Sequence, residues 1–166
     1  MAITVGNPAV TAEGGSGSYT IFDATTPANA TGTIDHIEVF VDGTQNFEFA
    51  LFYLVSGSVF SSRSNTNPIN LTAGLQELDA PGDFTALAVE TNDMIGIYPD
   101  DIDRTGGGAG DTTYVSGDNI PMDEVTCTTG YNTAYSLLGE GTESGGVVAP
   151  TGTLYGPFYG PLRGVI

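Results

Sequence analysis

The first part of the chain with a regular pattern alternates hydrophobic and polar residues with a period of two. Within Thr33–Asp42, the side chains of Ile37, Val39 and Val41 share one face. The other face carries His36, Glu38 and Phe40. This alternation is typical of a strand that buries one face, and Asp42-Gly43 supplies a turn after it. We therefore predict a half-buried strand over Thr33–Asp42.

The next segment, Asn46–Val55, is apolar on both faces in its second half. One face carries Phe47, Phe49, Leu51, Tyr53 and Val55, and the other passes from Glu48 to Ala50, Phe52 and Leu54. A strand that is apolar on both sides is covered on both sides. We predict a central strand with one face on the core and the other against a neighbouring element or subunit.

Shorter strands are expected along the rest of the chain, separated by turns rich in Asn, Pro and Gly. They are Ser58–Ser61, Ile69–Leu71, Phe84–Val89 and Met94–Tyr98, with minor candidates at Tyr114–Val115 and Tyr135–Leu138. No window of a dozen residues shows a helical period. The prediction is an all-β protein: an antiparallel, jelly-roll-like β-sandwich over residues 19–144.

Both ends of the chain are predicted to be irregular arms. Residues 1–18 are polar and show no period, and residues 145–166 contain Gly156-Pro157 and Gly160-Pro161. The C-terminal arm is too apolar for a solvated linker, so it either folds back on its own domain or docks on a neighbouring subunit. Its candidate assembly contacts are Tyr155, Phe158, Tyr159, Leu162 and Ile166.

Charge limits the classes of partner. Twenty Asp and Glu residues face three arginines and no lysine, which gives a formal net charge of −17. Binding to phosphate backbones or anionic lipids needs clustered Lys and Arg, so nucleic acid and membrane are not expected partners.

Catalysis is not expected either. The single histidine, His36, and the single cysteine, Cys127, cannot form a His/Cys zinc site or a disulfide within the chain. We interpret His36 as a partly buried, hydrogen-bonded residue and Cys127 as a small buried strand residue. Paired carboxylates could serve a glycoside hydrolase, but with so many acids such pairs arise by chance, and the chain has no Trp for sugar stacking.

One acidic segment resembles the start of a calcium loop. Asp101, Asp103 and Thr105 occupy the first, third and fifth places, and Gly106 the sixth. The twelfth place is Thr112, where an EF-hand has a bidentate Glu. The segment either binds calcium or is a solvated acidic loop, and the incomplete motif favours the solvated loop.

Several segments together resemble the jelly-roll domains of structural proteins in tailed bacteriophages. They are Asn29–Val39, Phe52–Gly57, Val89–Tyr98, Ser116–Pro121 and Ser136–Gly141, so the resemblance runs from about Asn29 to Gly141. The family usually has Gly at the position of Asn92, and the Gly/Pro tail lies outside the resemblance. Without reference to the family, Asn92-Asp93 is a turn before Met94–Tyr98, and Gly96 is expected to allow close approach of another strand.

The resemblance implies a virion structural protein. Domains of this size are commonly capsid decoration (cement) proteins, so the implied partners are the major capsid protein and further copies of the chain in a homotrimer. The N-terminus lacks the basic and apolar regions of a secretory signal, which fits a virion made in the host cytoplasm. The alternative is a tail-fibre or carbohydrate-binding module that recognises a surface glycan.

Overall fold

A computed structural model describes residues 1–9, 13–14 and 17–144. In these residues the chain forms fourteen strands: β1 (Ala2–Gly6), β2 (Glu13–Gly14), β3 (Tyr19–Asp23), β4 (Gly32–Val41), β5 (Gln45–Ser56), β6 (Val59–Asn65), β7 (Ile69–Leu71), β8 (Gly74–Asp79), β9 (Leu87–Val89), β10 (Met94–Tyr98), β11 (Asp103–Ser116), β12 (Val125–Thr126), β13 (Thr128–Tyr135) and β14 (Leu137–Glu143).

The strands form two antiparallel sheets in the order of a jelly roll. The small sheet runs β1-β14-β4-β8, with β9 also paired to β4, and the large sheet runs β12-β6-β5-β10-β3-β11-β13. Eight strands make the jelly roll: β1, β14, β4 and β9 in the small sheet, and β3, β10, β5 and β6 in the large sheet. Taken in chain order, these eight strands alternate between the two sheets at every step except the β5–β6 hairpin. This confirms the predicted all-β, jelly-roll-like sandwich.

The main core lies between the two sheets. The predicted inward face of β4 supplies Ile37, Val39 and Val41, and β5 supplies Phe47, Phe49 and Leu51. All six side chains are fully buried. The period-two pattern therefore located the core face of both strands correctly.

A second core explains the apolar outer face of β5. Ala50 and Phe52 point away from the first core and pack with Phe22, Phe60, Met94, Ile120, Met122 and Cys127. The Phe22 and Phe52 rings stack with centroids 4.6 Å apart. The neighbouring element that the sequence predicted is thus the segment after β11, which returns across the outer side of the large sheet.

The large sheet curls until its two ends approach each other. β12 pairs with β6 at one end of the sheet, and β13, which begins two residues after Thr126, pairs with β11 at the other end. Cys127 lies between these two strands and is buried in the second core. The curl encloses the second core, and this covering accounts for strands that are apolar on both faces.

The turn before β10 has the predicted geometry. Asn92 adopts a positive φ of 74°, and the Asp93 carboxylate accepts a hydrogen bond from the Glu90 N–H at 2.8 Å. Asp93 also pairs with Arg63, whose guanidinium lies over the Tyr53 ring. A side chain at Gly96 would meet the carbonyl oxygen of Ile21, so β3 approaches β10 closely there.

The N-terminal arm differs from the prediction. Ala2–Gly6 is an edge strand of the small sheet and pairs with Thr142–Leu138 of β14. Ile3 and Val5 are buried in the main core. Their alternation with Ala2 and Thr4 was a strand signal, too short to stand out from the polar residues after it. The predicted C-terminal arm, residues 145–166, lies outside the described residues.

Candidate functional site

Most of the segment with the calcium-loop motif lies in a strand. Asp103 begins β11, and Thr105 lies within it, although its side chain is outside the described part. A strand spaces alternate residues about 7 Å apart instead of wrapping them around an ion. The backbone here therefore lacks the loop form on which the less favoured calcium alternative for Asp101, Asp103 and Thr105 rested, and metal binding by these residues stays untested.

Acidic side chains near this segment serve the fold. The Asp101 carboxylate accepts a hydrogen bond from Gln45 Nε2 at 2.7 Å. Asp100 is buried and accepts the backbone N–H of Tyr19 at 3.3 Å, while Asp118 accepts the N–H of Ile120 at 3.0 Å. These carboxylates satisfy donors at loops and strand ends.

The candidate assembly contacts of the C-terminal arm cannot be placed. Tyr155, Phe158, Tyr159, Leu162 and Ile166 lie outside the described residues. They stay predictions from the sequence.

The structure brings together a cluster that the sequence analysis did not assemble. We call it the His36 cluster: His36 and Glu38 on β4, Asp79 on β8 and Glu140 on β14, all on the outer face of the small sheet. The strand register places Glu140 and Asp79 opposite His36 on its two sides. Side chains directly opposite each other in a sheet are close neighbours, which brings these four groups together.

A bulge in β4 aims His36 at this face. Glu140 pairs with His36 and Gly141 pairs with Ile34, which leaves Asp35 as an extra residue. Asp35 and His36 are both partly buried between fully buried Ile34 and Ile37, so the alternation slips by one residue there. Such a bulge turns side chains out of the regular alternation.

The hydrogen bonds of His36 define its two ring nitrogens. Nδ1 lies 2.7 Å from Oδ1 of Asp79, and Nε2 lies 3.4 Å from Oε1 of Glu38. An ionised carboxylate only accepts, so Nδ1 carries the hydrogen in its bond to Asp79. In the protonated ring Nε2 donates to Glu38, whereas in the neutral ring Nε2 has a lone pair and the contact with Glu38 is no longer a hydrogen bond.

The electrostatics of the cluster favour positive charge at its centre. The hydrogen bond to Asp79 has the largest effect on the pKa of His36 and raises it above the ordinary value. Burial opposes this effect, and the hydrogen bond to Glu38 adds a further upward one. Glu77, opposite Glu38 on β8, adds negative charge to the same face.

The sequence contained part of this arrangement. The interpretation of His36 as partly buried and hydrogen-bonded agrees with the structure, and the spacing of His36 and Glu38 places both on one strand face. Glu140 and Asp79 could not be assigned, because the segments that became β8 and most of β14 showed no clear alternation.

Apolar residues continue the outer face of the small sheet beyond the cluster. Phe40 lies opposite Leu75, and Leu138 lies opposite Glu38. Leu75 is 49% exposed, although it is a large hydrophobic residue. The face therefore carries an apolar pair, Phe40 and Leu75, next to a row in which Leu138 lies beside Glu38 and Glu77.

A polar groove lies at one end of the sandwich. It has a volume of about 310 Å³ and is lined by two segments, residues 65–69 and 81–85. Its walls include Asn65, Thr66, Asn67 and Asp83, with the partly exposed Ile69 at one side. The groove offers hydrogen-bonding groups and little apolar surface.

Comparisons of the chain with protein-family models, with curated proteins and with solved structures find no match. Among the described residues, no helix has the length and apolar character to cross a membrane.

Proposed function

We propose that the protein is a structural component of a phage particle, a decoration (cement) protein that binds the outside of the shell and acts by contact, without catalysis. The observation that carries the proposal is the outer face of the small sheet. Phe40 and Leu75 lie there beside the carboxylates of Glu38 and Glu77. The resemblance of Asn29–Gly141 to phage jelly-roll domains supports the proposed role in a virion.

A paired sheet face suits binding to a large, flat partner. The ladder fixes the backbone before contact, so little conformational entropy is lost on binding. Protein interfaces typically have an apolar centre and a polar rim. The charge of −17 favours a basic partner surface, for which the major capsid protein is our candidate. Self-association as a homotrimer belongs to the same proposal.

Location on the particle is the first test. An antibody raised against the purified chain is applied to intact phage particles from the source culture and visualised with gold. We expect label over the outside of the shell. Label confined to tails would favour the fibre alternative, and particles without label would overturn the virion proposal.

The role of the sheet face has a separate test. Leu75→Glu is expected to abolish rebinding of the chain to shells stripped of it, because it places a charge beside Phe40 in the apolar pair. Leu54→Glu is the matched control, since Leu54 is 53% exposed against 49% for Leu75 but lies on the large sheet. Equal rebinding of the two variants would exclude this face.

The groove supports the alternative of glycan binding. Amide and carboxylate side chains around a cavity of about 310 Å³ suit a small polar ligand, and ligand pockets start near this size. A glycan array probed with the labelled chain tests this function. Binding that is lost in Asn67→Ala and retained in Leu75→Glu would favour the glycan module over the decoration protein.

A further inference from the structure

We propose that Nε2 of His36 and the carboxylates of Glu38 and Glu140 bind a divalent transition-metal ion of the zinc class on the outer face of the small sheet. Ligand atoms of these three residues all lie within 4.8 Å of one another. Two ligands of one zinc ion are about 3 to 4 Å apart, given bonds of about 2.1 Å. Rotation of the two glutamate side chains would bring the ligand atoms from within 4.8 Å of one another to the spacing of about 3 to 4 Å that one zinc ion requires.

The backbone holds these donors in place. Glu140 pairs with His36 across the ladder, and Glu38 follows two residues later on the same face of β4. Glu140 stands between Gly139 and Gly141, and a side chain at Gly141 would meet the carbonyl oxygen of Thr33. The two glycines let β14 lie tightly against β4 and the core, so the ligands belong to the rigid part of the sheet.

The donor set selects the class of ion. Calcium and magnesium take oxygen ligands, whereas an imidazole nitrogen suits zinc, nickel, copper or cobalt. Asp79 acts as a positioning residue, because its hydrogen bond to Nδ1 turns Nε2 towards the two glutamates. A carboxylate that orients a metal-binding histidine in this way is a frequent feature of zinc sites.

Three protein ligands leave at least one coordination position on the solvent side. Water would fill that position in the isolated chain. All three ligands come from one chain, so zinc binding can be measured whether or not the protein belongs to a virion.

Calorimetric titration of the full chain with zinc chloride near neutral pH is the first experiment. We expect one zinc ion per chain with its affinity lowered at least about tenfold in His36→Gln and in Glu140→Gln. Glu77→Gln is the control, since it removes a negative charge from the same face without removing a ligand. Its affinity should stay within about threefold of the parent.

Ring nitrogen spectra provide a measurement that needs no variant. The chain has a single histidine, so its imidazole gives one set of signals. Zinc should move the Nε2 resonance and leave Nδ1 protonated. The proposal is overturned if the ring signals do not move at saturating zinc, if His36→Gln binds zinc like the parent, or if calcium moves the ring signals as zinc does.

Discussion

At the scale of single residues, the turn that precedes β10 holds a buried carboxylate paired with an arginine. Asp93 is 2% exposed and is matched by Arg63, whose Nε and Nη2 both donate to its carboxylate. The same bond raises the pKa of Arg63 above its ordinary value. Glu90 binds the other side of the guanidinium at 2.9 Å but is 58% exposed. Because its carboxylate is buried, the Arg63–Asp93 pair should contribute more to the free energy of unfolding than the Arg63–Glu90 pair, whose carboxylate is exposed.

We expect Asp93→Asn to lower the free energy of unfolding by about 3 kcal/mol, because it removes the charge that matches a partly buried guanidinium. Glu90→Gln should cost less than about 1 kcal/mol, since its carboxylate is well solvated. Urea denaturation of both variants measures the difference. Equal losses would show that burial does not set the strength of these pairs.

Gly96 is required by packing. A methyl group there would meet the Ile21 carbonyl and also the Phe22 and Phe52 side chains. Gly96→Ala should therefore destabilise the protein by about 3 kcal/mol, at the upper end of overpacking effects. Gly82→Ala is the matched control, because the nearest atom to its new methyl would be 3.5 Å away. Thermal unfolding of the two variants compares them directly.

We expect the thiol of Cys127 to react slowly with alkylating agents. Burial raises its pKa from 9.0 to about 11. At about pH 8 this leaves roughly 100-fold less thiolate than in the unfolded chain, and thiolate is the reactive form. We expect alkylation of the native protein to rise about tenfold per pH unit between about pH 8 and 10. A rate that levels off near pH 9 would contradict the raised pKa.

At the scale of elements, β1 is the part of the sandwich that was assigned to an arm. Ile3→Ala should cost about 3 kcal/mol, because it empties a fully buried position in the core. Thr4→Ala, next to it on the exposed face, should have little effect. Chemical denaturation distinguishes the two, and an irregular N-terminal arm would make both substitutions neutral.

Strands with a long hydrophobic pattern were predictable from the sequence. Met94–Tyr98 was predicted with the bounds of β10, and β4 and β5 with bounds shifted by one residue at each end. The Gly- and Thr-rich strands β11 and β13 were almost entirely missed, because their pairing comes from ladder hydrogen bonds and not from an apolar face. Tertiary context decides such strands.

Only two of the four residues in the His36 cluster could be grouped from the sequence, for a related reason. His36 and Glu38 show their common face in the sequence, whereas Asp79 and Glu140 join them through the register of β8 and β14. Register depends on the fold of the whole sheet, and the bulge at Asp35 changes it by one residue. A single sequence does not carry that information locally.

At the scale of the whole molecule, the two cores share the strand β5. Phe49 faces the main core and Phe52 faces the second, and both are fully buried. Phe49→Ala and Phe52→Ala should each cost about 4 kcal/mol. Leu54→Ala, further along the same strand and half exposed, should cost under about 1 kcal/mol. A small loss for Phe52→Ala alone would mean that the second core is loosely packed.

The pairing of β1 with β14 also has a consequence for the order of events during synthesis. The ribosome makes Ala2–Gly6 long before Glu143, so the first strand waits without its neighbour while most of the chain is translated. Until β14 arrives, β4 also lacks a partner along one edge. A message that stops before Leu137 therefore yields a product with a gap through the middle of its small sheet. Such a product exposes unpaired strand edges and is prone to aggregate.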